Sequence, residues 1–178
     1  VADFWVSRVT RNDDGSYSIC NVVGADEYAN GVDDNAFTNG AAIRALEYAC
    51  EAARICNEPV PEIWEEVGKG IRILRFKDGV TREHATYNGE MIKQADVNLL
   101  GYPLYFVGDA ESQKKDMEYY VDKIDPQNGP AMSYSVFCVQ YARMGDAKRA
   151  YEMFCRCYQP NLRAPFGVLA ETPTSDNP

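Results

Sequence analysis

Apolar positions return every three or four residues between Ala36 and Cys56, where Ile43, Leu46, Cys50 and Ala53 form one stripe. This period predicts an amphipathic helix, capped by Asp34 or Asn35. A second stripe, Ile63, Val67, Ile71 and Leu74, predicts a helix through PEIWEEVGKGIRIL, with Pro61 at its first position and two interior glycines tolerated. Next, ILRFKDGVTREH sets β-favouring residues on both sides of Lys77-Asp78-Gly79, the composition of a hairpin turn. Helical spacing resumes over Glu90 to Leu100, Ser112 to Ile124, Pro130 to Arg143 and Asp146 to Tyr158, with Met144-Gly145 between the last two.

These elements make an all-α chain of helical pairs with one short β-hairpin. Helical pairs build either a solenoid of repeats or a closed ring. The piece Gly145-Asp146-Ala147-Lys148-Arg149-Ala150-Tyr151 looks like part of a tetratricopeptide hairpin, but it has no counterpart about 34 residues away. A helical-repeat interaction module is therefore the weaker expectation and an (α/α) toroid the stronger. Such a ring gathers functional loops at its helix ends, where GADEY and PFGVLAET fall.

At 178 residues and 46% hydrophobic content, the chain is large enough for one domain with a sizeable core. Its 27 acidic and 18 basic residues give a net charge of −9, which repels phosphate backbones, so no nucleic-acid partner is expected. No apolar stretch approaches the roughly 20 residues of a membrane helix, and VADFWVSRVTRND lacks the pattern of a signal peptide, so no membrane partner is expected either. A start without Met and an end at TPTSDNP lead us to expect part of a longer chain, whose other parts would be this segment's natural partners. The six cysteines lack close CxxC pairing and are expected to be free core thiols, which leans toward a reducing, cytoplasmic compartment without fixing the localisation.

The stretch GADEYANGVDDN concentrates four carboxylates, Asp26, Glu27, Asp33 and Asp34, ahead of the first long helix. A calcium loop starting at Asp26 needs oxygen ligands at its third and twelfth positions, which here are Tyr28 and Phe37; that reading fails, and no metal or organic cofactor is expected. Glycosidic bond cleavage needs one protonated carboxyl for the leaving oxygen and one ionised carboxylate on the other face of the sugar. A loop dense in acids supplies the first, since burial and neighbouring negative charge raise a carboxyl pKa. Tyr28, Phe4 and Trp5 could flank a pyranose. From pattern alone, a solvated acidic loop remains the alternative.

The runs ADFWVSRV, NVVGADEYANGVDDNAFTN, IKQADVNLLGYPL, NGPAMSYSVF and APFGVLAET resemble, in order and spacing, the catalytic domain of glycoside hydrolase family 65, over nearly the whole chain. The resemblance implies part of an (α/α)6 barrel, spanning 1–178, without the family's N-terminal β-sandwich, its Trp-Asp glucose-gripping segment or the glycine-rich segment expected after Pro178. It implies an inverting enzyme acting on an α-glucoside, with Glu27 as general acid and Asp26 and Tyr28 as its supports. Lys93 and Gln94 match the family's glucose-binding Lys-Gln pair, and their donors and acceptors suit sugar hydroxyls. Ala29 departs from the His that usually follows DEY. The region of the phosphorylases' phosphate loop reads Gln127 to Ser135 without the His-Asp-Ser-Ser pattern, whereas PFGVLAET resembles the hydrolases' segment and places Glu171 as the general base for water. Hydrolysis is the expected reaction, with a phosphate-dependent phosphorylase as the alternative.

Overall fold

The computed structural model describes residues 1–106 and 109–175. Six α-helices dominate these residues: α1 (Ala2–Arg8), α2 (Ala36–Ile55), α3 (Glu62–Gly70), α4 (Ala110–Tyr120), α5 (Ala131–Arg143) and α6 (Ala147–Tyr158). Two 3-10 turns lie at Val97–Leu100 and Gln159–Asn161. The strands are two residues long: β1 (Thr10–Arg11) pairs antiparallel with β2 (Tyr17–Ser18), and β3 (Leu162–Arg163) pairs antiparallel with β4 (Val168–Leu169). The fold is all-α, as expected.

Two helices begin close to the expected residues because side chains cap them. Asn35 Oδ1 accepts the Thr38 N–H at 2.9 Å ahead of α2, and Asp146 Oδ1 accepts the Arg149 N–H at 3.0 Å ahead of α6. Gly145, at φ +79°, makes the turn between α5 and α6 in a conformation that suits glycine. Pro130 caps α5 from outside its first residue.

Elsewhere the structure corrects the periodic reading. Pro61 caps α3 rather than opening it, and α3 stops at Gly70 instead of Leu74. Ile71 leaves the helix to bridge Tyr17, and a Cβ on Gly70 would sit 2.6 Å from the Tyr17 ring, so the glycine serves close packing there. The predicted helix over Glu90 to Leu100 survives only as the turn Val97–Leu100. Tertiary acceptors take its N–H groups: Ile92 donates to Lys123 O at 2.9 Å, Lys93 to Asp26 Oδ1 at 2.7 Å and Ala95 to Ser133 Oγ at 2.9 Å. The Lys77-Asp78-Gly79 turn forms, closed by Phe76 N–H to Val80 O at 2.8 Å, but its flanks share one bridge, Arg75 with Thr81, rather than a ladder. The two-residue ladders lie at β1–β2 and β3–β4.

Two apolar cores organise the helices. The larger gathers Ile92, Val97 and Leu100 with Met117 and Tyr120 of α4, Phe137 of α5 and Met153 of α6. The smaller joins Ala2, Tyr17 and Ile19 to Ile43 and Leu46 of α2 and Val67 of α3. Phe106 packs against both. All six cysteines are free, but only Cys50 is buried and Cys56 is exposed, so most are not the core thiols expected. No helix among the described residues is long and apolar enough to cross a membrane.

Phe137, with no exposed surface, sets a test of the larger core. Phe137→Ala is expected to destabilise the chain by about 3–5 kcal/mol in urea denaturation, as large-to-small core substitutions do. Tyr151→Ala, at a position 69% exposed on α6, is expected to change it by less than about 0.5 kcal/mol.

Candidate active site

The acidic loop is held from below by one carboxylate. Asp96 is wholly buried, and its Oδ2 accepts the N–H groups of Ala25 at 2.8 Å and Asp26 at 3.3 Å and the Asn35 side-chain amide at 3.0 Å. Asn35 in turn caps α2, so a single oxygen ties the loop to the start of that helix. Close approach requires Gly24: a Cβ there would meet Asn35 Nδ2 at 2.3 Å and Asp96 Oδ2 at 2.4 Å.

Along the loop, side chains part company. Asp26 turns inward, and its Oδ1 accepts the Lys93 N–H at 2.7 Å and the Tyr28 N–H at 3.3 Å. Glu27 turns outward, with 59% of its side chain exposed, and its carboxylate is ion-paired with the Lys93 ammonium. Gln94 donates from its amide to the Ala25 carbonyl. The structure thus brings Asp26, Glu27, Lys93 and Gln94 together across 66 to 69 residues of chain. Tyr28 donates its hydroxyl to Asp125 Oδ2 at 2.8 Å, which raises the phenol's pKa. Asp125 also accepts the N–H groups of Asn128 at 3.0 Å and Gln127 at 2.8 Å, and these bonds hold it well below the usual carboxylate range.

Glu171 arrives from the far end of the chain. Its carbonyl accepts the Ala131 N–H at the start of α5 at 3.1 Å and the Asn161 side-chain amide at 3.0 Å. The segment beyond it is clasped by Arg163, whose Nη2 donates to the carbonyls of Thr172, Pro173 and Ser175 at 3.2, 2.7 and 3.1 Å. The Lys93 ammonium is held above its ordinary pKa by its bond to Glu27, with the charge of Glu171 adding a smaller push. Trp5, expected beside a sugar, packs against the smaller core, with Phe4 edge-on to it at 5.1 Å.

One residue of this region escaped the sequence reading. Glu83 is fully buried, its carbonyl accepts the first N–H of α2 from Ala36 at 2.7 Å, and its carboxyl faces that of Asp26. Burial, then the charges of Asp96 and Asp26, push the Glu83 carboxyl up to about 10. Burial also raises Asp26 and Asp96. Nothing in TREHATY marks Glu83 as interior, because its neighbours in that region come from positions 26 and 96. Beside the loop opens a cavity of about 260 Å³, lined in part by Asp26, Tyr28, Ala29, His84, Thr86 and Tyr87.

Residues 1–72 match the Glycosyl hydrolase family 65 central catalytic domain. A kojibiose hydrolase from Mucilaginibacter mallensis is 49% identical over 177 residues, covering 99% of this chain and 26% of the relative. The chain is similar to glycoside hydrolase family 65 over its matched residues. A protein-glucosylgalactosylhydroxylysine glucosidase from Danio rerio is 38% identical over 97% of this chain and 26% of its own length. A solved structure from the human microbiome, assigned as a kojibiose phosphorylase, superposes with a TM-score of 0.69 at 19% identity, covering 86% of this chain and 26% of its own. This likeness fits the toroid expectation and sets the solenoid aside. The chain spans about a quarter of the length of these family 65 relatives.

Asp96 offers the direct test of the loop's anchorage. Asp96→Ala orphans donors from Ala25, Asp26 and Asn35, and each buried unsatisfied donor costs about 1–3 kcal/mol, so a loss on the order of 3 kcal/mol is expected in denaturant titration.

Proposed function

We propose that this chain carries the acid, the base and part of the glucose-binding surface of an inverting α-glucoside hydrolase. Glu27 protonates the glycosidic oxygen, and Glu171 takes the proton of a water that attacks the anomeric carbon from the opposite face. Lys93 and Gln94 hold glucose hydroxyls, and Asp26 and Tyr28 set the direction of Glu27. The observation that carries this reading is the ion pair of Glu27 with Lys93, which the fold brings together from segments 66 residues apart, with Asp26 accepting the Lys93 N–H beside it. A water held between the two acids calls for a carboxyl separation of about 6.5–9.5 Å in the closed site.

Lys93 gives the site an order of events. Glu27 is ion-paired with Lys93, so it must leave the ammonium before it can donate to a glycosidic oxygen. A sugar hydroxyl that accepts from Lys93 releases Glu27 from the ion pair, and Glu27 takes its proton from solvent. The names of the curated relatives favour hydrolysis over phosphorolysis. So does the loop at Gln127 and Asn128, whose N–H groups point at the Asp125 carboxylate and are not free for an inorganic phosphate.

In the full-length protein, Glu27→Gln is expected to lower turnover of a natural disaccharide by about 10²- to 10⁴-fold and of an aryl or fluoride glucoside much less, since a good leaving group hardly needs the proton. Equal losses on both substrates would remove Glu27 from the acid's role. NMR should show β-glucose released first from an α-glucoside, at a rate indifferent to inorganic phosphate. Glu171→Ala should abolish most hydrolysis, and α-glucose as first product or strict phosphate dependence would refute the reading. A panel of kojibiose, trehalose, nigerose, maltose and glucosylgalactosyl-hydroxylysine tests the linkage.

A further inference from the structure

Behind the acidic loop, three carboxyl groups meet with almost no water: Glu83 and Asp96 have no exposed surface and Asp26 is 2% exposed. Asp96 and Asp26 are each supplied with N–H donors. Glu83 is not. Neither of its oxygens meets an N–H or O–H donor among the described residues, and the group that faces it within bonding reach is the carboxyl of Asp26. Two carboxylates repel, whereas a carboxylic acid and a carboxylate share a hydrogen bond. A proton on Glu83 would turn that repulsion into a hydrogen bond and satisfy its unpartnered oxygens.

We propose that Glu83, as a neutral acid donating to Asp26, is a positioning residue for Glu27. Asp26 accepts the N–H groups of Tyr28 and Lys93 through Oδ1, so it fixes the residue that follows Glu27 and the residue that pairs with it. Glu83 holds that carboxylate in place. Its own segment is immobilised on both sides: the Thr81 N–H donates to Asp116 Oδ1 at 2.7 Å, Tyr120 donates to Thr81 O at 2.8 Å, and Ala85 donates to Asp33 O at 2.9 Å.

The surroundings favour the neutral acid. Asp96 and Glu90 act on Glu83 from the segment 90–96, Asp26 from the loop, Tyr120 from α4 and Tyr87 from its own segment. The guanidinium of Arg82 is engaged instead by Tyr87 O at 2.6 Å and Asn88 Oδ1 at 3.0 Å, and burial lowers the pKa of neighbouring His84. In the folded protein Glu83 keeps its proton to about 10, while the unfolded chain releases it near the ordinary value of 4.5. The folded state binds more protons across that interval, so its stability falls as pH rises through it.

The proposal rests on the reading of Glu27 as general acid, and its test separates the two. In the full-length protein, Glu83→Leu, which has no donor, is expected to lower kcat by about 10²-fold with KM within about twofold, the signature of a displaced rather than a missing catalytic group. Glu83→Gln, whose amide still donates, is expected to recover most of that loss. The infrared difference spectrum, parent minus Glu83→Gln, should carry the band of a buried protonated carboxyl at neutral pH. The melting temperature of Glu83→Gln should gain on the parent's between about pH 5 and about pH 9. A Gln variant as slow as the Leu variant, no carboxyl band, or a melting difference flat with pH would each overturn the proposal. If Glu83→Leu does not fold, the Gln variant's spectrum and melting curve still decide it. A full-length protein without α-glucosidase activity would sink the role of Glu27 and leave the last two measurements to report on Glu83.

Discussion

The site depends on one buried oxygen. Asp96 Oδ2 collects two loop N–H groups and the amide that caps α2, and so joins the acidic loop to the longest helix of the fold. A buried charge is tolerated when donors surround it, and the donors are then obliged to stay. The constraint runs both ways: the loop cannot shift without uncapping α2, and α2 is pinned by its apolar face in the smaller core. Rigidity reaches Glu27 through this chain of obligations, although its own side chain lies largely in solvent.

Local signals carried the helices with strong periods and self-contained caps. Asn35 and Asp146 announce α2 and α6 within a few residues of themselves, and Gly145 marks the turn that separates α5 from α6. The segment from Glu90 to Asp96 has helical spacing too, but Asp26, Lys123 and Ser133 claim its N–H groups, and none of those partners is near it in sequence. The same distance hid Glu83. A glutamate in a polar stretch reads as surface, and only the approach of positions 26 and 96 makes it interior.

The acidic loop itself was legible as a cluster of carboxylates, but its division of labour was not. Adjacent acids were bound to look alike in sequence. Folding sends Asp26 inward onto N–H donors and Glu27 outward onto an ammonium, so the two neighbours acquire opposite surroundings. Charge density drew attention to the stretch; burial distinguishes its members.

The clasp of Arg163 on the carbonyls of Thr172, Pro173 and Ser175 has a further meaning. The acidic loop is fastened to the core through Asp96, whereas the segment around Glu171 is held by the Arg163 guanidinium, the Asn161 amide, the Ala131 N–H of α5 and a bond from Thr174 to Gln127 O. Substitutions among the side chains that fasten residues 161 to 175 can therefore reshape that segment while the buried anchorage of the acidic loop at Asp96 stays as it is.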